Sequence, residues 1–148
     1  MSHTPSTPAP APRLIGIATA LMIALAGGAL WCLLALRAAG DLAGFAFVVA
    51  AMVVWALRRH GFGAHWSGIA LAPVLVAIAS GYALYLQAIT RIAGMLGIPA
   101  RDALTRMNLA FAWDIARVNL DHTSIWIIAT AILAAALAML PSSASHRI

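Results

Sequence analysis

Residues 14–36 read LIGIATALMIALAGGALWCLLAL, an apolar run closed at its two ends by Arg13 and Arg37. At 1.5 Å per residue a helix of about 23 residues reaches ~34 Å, enough for the ~30 Å hydrocarbon core of a bilayer. A secretory signal carries an apolar segment of only ~7–15 residues before a small-residue cleavage site. Ala38-Ala39-Gly40 could pass as such a site, but the run is too long, and a retained membrane span is expected.

Three further runs follow. Residues 42–57 lie between Asp41 and the pair Arg58-Arg59. At about 16 residues, or ~24 Å, this run needs its flanks, snorkelling arginines or a thinner bilayer to cross. The tight linker before it forces an antiparallel hairpin. Residues 69–89 form the third run, with Pro73 near its start, where early helical N–H groups lack partners in any case. The fourth, 125–140, follows Thr123-Ser124, good N-cap residues, and stops at Pro141.

Between the third and fourth runs the pattern changes. Gly94, Gly97 and Pro99 are expected to break the helix, and Pro99 to open a new one. From there Leu104, Met107, Phe111, Ile115 and Val118 recur at helical spacing, while other faces carry Arg101, Asp102, Arg106, Asp114, Arg117 and Asp121. Asp102–Arg106, Asp114–Arg117 and Arg117–Asp121 are spaced for ion pairs along a helix. Each charge at mid-bilayer costs ~2.5–3.5 kcal/mol, so this elbow, about residues 99–120, is expected along the interface rather than across it. The expected fold is therefore all-α: a polytopic integral membrane protein with four transmembrane helices and one interfacial amphipathic helix between the third and fourth. One domain, 13–141, lies between flexible tails 1–12 and 142–148.

Composition agrees. Of 148 residues, 64% are hydrophobic and 9% charged, with a mean hydropathy of +0.96. Soluble domains are about 45–50% apolar and ~25% charged, and disordered chains are more polar still, so both classes are excluded. Every basic residue is arginine and every acid aspartate. The net charge of +5 would suit nucleic acid only if the arginines formed a basic face. They flank apolar runs instead, and nucleic acid is not an expected partner. Cys32, the single cysteine, has no intramolecular disulfide partner.

Trp31, Trp55, Trp66 and Trp126 fall near run ends and Trp113 on the elbow helix; with Arg58 and Arg59 they are expected to anchor the chain at the headgroup level. Tyr82 fits that scheme less well. Four crossings put the N-tail, the 58–68 loop and the C-tail on one face, with Arg13, Arg58, Arg59 and Arg147. The other face holds Arg37, Arg91, Arg101, Arg106 and Arg117 with all four aspartates. Because Arg58-Arg59 abuts a span in a short loop, both termini are assigned to the cytoplasmic side of a bacterial inner membrane.

No Asp, Arg or His interrupts any run, and Gln87 is their strongly polar residue. Proton relays and haem sites need intramembrane titratable groups or inward histidines, so no cofactor is expected. His60 and His65 flank a loop, but a convincing metal site needs three or four ligands. The ordinary reading is two solvated histidines. Asp114, Asp121 and His122 could in principle serve general acid–base chemistry at a lipid headgroup, although ion pairs and capping account for them more simply. Gly16, Ala20, Ala24 and Gly28 recur every four residues, a face that lets another helix approach closely, within the bundle or from a second protomer.

The expected function is that of a small accessory, assembly or immunity-type protein, with membrane lipids and other membrane subunits, or further copies of itself, as partners. An oligomeric transporter or channel is the alternative, with the Gly16–Gly28 face joining protomers and Gln87 near a mouth. A lipid-modifying enzyme comes third.

Overall fold

Alanine and leucine fill the apolar runs, and both are strong helix formers. The computed structural model of the chain describes residues 11–38, 42–64, 66–106, 108, 114, 117 and 121–140, and among these there are helices and turns but no strand. Helix α1 spans Ala11–Ala38, α2 Phe45–Arg59, α3 Trp66–Leu96, α4 Ala100–Arg106 and α5 His122–Ala138; a 3-10 turn, Phe62–Ala64, joins α2 to α3.

The boundaries refine those expected from the sequence. Helix α1 starts at Ala11, so Ala11 and Pro12 belong to the helix rather than the tail; proline is tolerated there because a first-turn N–H has no intrahelical acceptor. Residues 1–10 and 142–148, the rest of the expected tails, lie outside the described residues. Residues 42–44 form a turn instead of opening the second helix: the Phe45 N–H donates to the Leu42 carbonyl at 2.8 Å and the Ala46 N–H to Ala43 at 3.0 Å. Helix α2 carries Arg58 and Arg59 in its last turn and stops at His60. Helix α3 runs through Gly94, since one interior glycine costs only about 1 kcal/mol. Gly97, at φ +64°, ends it. There the Ile98 N–H donates to the Ala93 carbonyl at 3.1 Å, the long bond of a Schellman cap, and Ile98 packs on Ala93. Helix α5 begins at His122 with Asp121 as N-cap, two to three residues earlier than Thr123-Ser124 would have it, and Ser124 is buried inside it.

The elbow is not one continuous helix. Pro99 opens α4, its carbonyl accepting from the Asp102 and Ala103 N–H groups. Yet α4 ends at Arg106, and Asn108 is non-helical, whereas Asp114 and Arg117 further on are helical. Asparagine competes for backbone hydrogen bonds and is a poor interior helix residue. On α4 the buried position is Ala103, against Ile89 and Ala93, while Leu104 is exposed. Met107, Phe111, Ile115 and Val118 fall outside the described residues.

Helices α2 and α3 form the central pair, with α1 against both on one side and α5 against both on the other; the α1 and α5 backbones stand apart, bridged only through the core where Trp31 of α1 clusters with Ala131 of α5. The near end holds the starts of α1 and α3 and the ends of α2 and α5: a Cβ on Gly16 would lie 2.8 Å from the His60 Cβ, and one on Gly68 would touch Met139. The Arg58 guanidinium donates to the Ala138 carbonyl, tying the last turns of α2 and α5 together. The far end collects the end of α1, the starts of α2 and α5, and α4 packed on the end of α3. The main core joins Ala20 and Ala24 of α1, Val49, Val53 and Leu57 of α2, Val76 and Ala79 of α3, and Ala135 of α5.

Two helical stretches, Leu14–Ala38 and Trp66–Leu96, are long and apolar enough to cross a membrane, with mean hydropathies of 2.2 and 2.0. Helix α5 is apolar but shorter, at 17 residues, and α2 has 15. At 1.5 Å per residue α3 is about 46 Å long and α2 about 22 Å, so α3 overhangs the bundle where α4 folds back on it.

Candidate functional site

The small-residue face of α1 is turned inward. Gly16, Ala20, Ala24 and Gly28 are all buried. A Cβ on Gly28 would come within 2.8 Å of the Ala79 carbonyl oxygen on α3, and one on Gly16 within 3.0 Å of the Phe62 ring. This face therefore serves contacts within the chain, and an oligomeric pore would need its protomer contact elsewhere.

Trp31, expected as an interface anchor, faces the interior of the bundle. It is only 1% exposed and clusters with Ala46, Ala83 and Ala131, one small residue from each of the other long helices, which together leave room for an indole. The signal was in the sequence: Trp31 lies three residues beyond Gly28, on the face of the small-residue stripe. Trp55, Trp66 and Trp126 are exposed, as interface anchors would be, and Trp113 lies outside the described residues.

At the near end Arg58, Arg59 and His60 are exposed side by side. The Arg59 guanidinium carbon lies 5.3 Å from the Trp55 ring centroid, a cation–π arrangement. Two apolar grooves run beside α2 and share Ala51 and Trp55. The one towards α5, about 370 Å³, is lined by Phe47, Val54, Arg58, Ala134 and Ala138 as well. The one towards α1, about 340 Å³, adds Ile23 and Met52. His65, the second histidine of the loop, lies outside the described residues, and among those described no three His, Cys, Asp or Glu side chains are placed to hold a metal ion.

Asp114, Asp121 and His122 are all exposed, and Asp121 caps α5 through its backbone position without a side-chain hydrogen bond. Asp102 lies 3.3 Å from the guanidinium of its neighbour Arg101, an exposed pair of little energetic weight. The side chain of Arg106, its expected partner, is outside the described set.

Inside the bundle, Gln87 is buried rather than placed at a mouth, and neither its Nε2 nor the Trp31 Nε1 has an acceptor. An unmade buried hydrogen bond costs about 1–3 kcal/mol. Gln87→Met keeps the length and removes the donor, so stability should be unchanged or rise by about 1 kcal/mol. Thermal unfolding in a mild detergent checks this; a clear loss of stability would mean that the amide holds a partner in the working protein. Cys32 is buried and free.

Comparison with known proteins gives no match: no family model, curated protein or solved structure is similar to this chain.

Proposed function

We propose that the chain is a small multi-pass membrane protein, crossing with α1, α2, α3 and α5, that acts by packing against other membrane proteins as an accessory, assembly or immunity-type subunit. The observation that carries this reading is the outward apolar surface. Only a third of the most apolar window of α1, and likewise of α3, is buried inside the bundle. Leu14, Ile15, Met22, Leu30 and Leu33 of α1, and Ile125, Trp126, Leu133 and Leu137 of α5, are exposed. Soluble monomers rarely expose contiguous apolar patches beyond a few hundred Å². In lipid such a surface carries no penalty. Helices α1 and α5 occupy the outer corners of the bundle, where a neighbouring helix finds the most open surface. The shorter α2 and α5 fit the same bilayer if Arg58 and Arg59 snorkel.

The four-crossing topology puts His60 and His122 on opposite sides of the membrane, His60 on the cytoplasmic side. In a Cys32→Ala parent, single cysteines at the two positions should react with a membrane-impermeant maleimide from opposite faces of sealed vesicles. Labelling of both from one face would overturn the topology. Purification in mild detergent should retain a protein partner, and a lone monomer from native membranes would remove the accessory role.

A further inference from the structure

The geometry points to a binding site for one anionic diacyl phospholipid astride α2, with a chain in each flanking groove and the phosphate at Arg58 and Arg59. This rests on the membrane reading above. The lining residues of the α5-side groove, Phe47, Ala51, Val54, Trp55 and Arg58, follow one face of α2 from its first turn to its last. Eleven residues of helix rise about 16 Å. That is about half of the ~30 Å hydrocarbon core, the depth of one leaflet and the reach of one acyl chain. The second groove lies across the Ala51–Trp55 ridge, which lines both, so two chains joined at one headgroup can straddle it.

Charge selects the headgroup. Arg58 closes the first groove, and its contact with the Ala138 carbonyl leaves other guanidinium N–H groups to donate. Arg59 is held over Trp55, and His60 follows. No described carboxylate stands at this end: Asp102 and Asp121 are on the elements of the far end, and Asp114 lies in the segment between them. A phosphodiester with net negative charge meets two guanidinium groups here, whereas a zwitterionic headgroup brings its own cation against them.

The full chain, reconstituted in vesicles of equal parts phosphatidylglycerol and phosphatidylcholine and released into a native mass spectrometer, should retain one phosphatidylglycerol. Its preference over phosphatidylcholine should be about fivefold per arginine, or about 25-fold for the pair. Arg58→Gln with Arg59→Gln should abolish the preference. Ala51→Trp, which sets an indole on the ridge shared by both grooves and leaves the charges in place, should abolish retention while the chain stays folded by circular dichroism, so the test stands even if the arginine variant fails to fold. Equal retention of the two lipids by the unaltered chain, retention unaffected by Ala51→Trp, or a protein partner displaced by that substitution in place of lipid would each overturn the site. A chain that stays in the aqueous phase without detergent would overturn the membrane reading along with it. Integration without lipid preference would sink the lipid site alone.

Discussion

Gly68→Ala is expected to destabilise the bundle far more than its single methyl group implies. The new Cβ would lie 2.3 Å from the Phe62 carbonyl oxygen and 2.6 Å from the Met139 methyl. The Met139 side chain can swing away. The Phe62 carbonyl cannot, because it belongs to the backbone of the turn that feeds α3. Relief requires the start of α3 to move off the turn and the end of α5 together. Overpacking of this kind costs about 1–3 kcal/mol, and more where backbone must shift. The helix propensity that alanine gains over glycine returns only about 0.5–1 kcal/mol. Gly81→Ala is the matched control, since a Cβ there meets nothing within 4 Å. It should stabilise by that same about 0.5–1 kcal/mol. Thermal unfolding in detergent separates the two, and equal midpoints would show that the α3 start does not lie on the turn as described.

The second large effect is expected at Trp31. Trp→Ala in a packed core costs about 3–5 kcal/mol through lost transfer energy and the cavity left behind. On the membrane reading proposed above, lipid is as apolar as the bundle interior, so the transfer share falls away and the lower end applies, about 3 kcal/mol. Ala46, Ala83 and Ala131 are too short to fill the cavity, so closing it would require the bordering Leu42, Phe45 and Ile128 to shift. Trp31→Phe should lose little, since it keeps a ring and drops the unpartnered indole N–H. Trp126→Ala, at an exposed position, should stay within about 0.5 kcal/mol of the parent. Were alanine at 31 and at 126 to behave alike, Trp31 would have to face the membrane rather than the core.

The two positions also mark where a sequence stops being informative. Long apolar runs identify α1 and α3, because length and hydropathy are local properties. The stripe from Gly16 to Gly28 is visible for the same reason, being a periodicity within one helix. Which surface the stripe meets is a matter of pairing between helices distant in sequence, and that is why Trp31 reads as a headgroup anchor until Ala46, Ala83 and Ala131 are seen to converge on it. The end of α3 illustrates a competition between neighbours: Gly94 and Gly97 look alike as letters, but only Gly97 takes the left-handed conformation that closes the cap. The grooves beside α2 were out of reach altogether, since each is formed by two helices and neither helix carries a motif.

The separation of the α1 and α5 backbones carries a consequence for the order of assembly. Helices α1, α2 and α3 meet one another pairwise, so they can pack together before α5 joins, leaving Trp31 open on the side that Ala131 covers. Helix α5 then docks onto the surface offered by α2 and α3, where the Arg58 guanidinium receives the carbonyl of Ala138 and Ala131 closes over Trp31. Assembly of the bundle would thus end on one seam, latched by a side chain of α2.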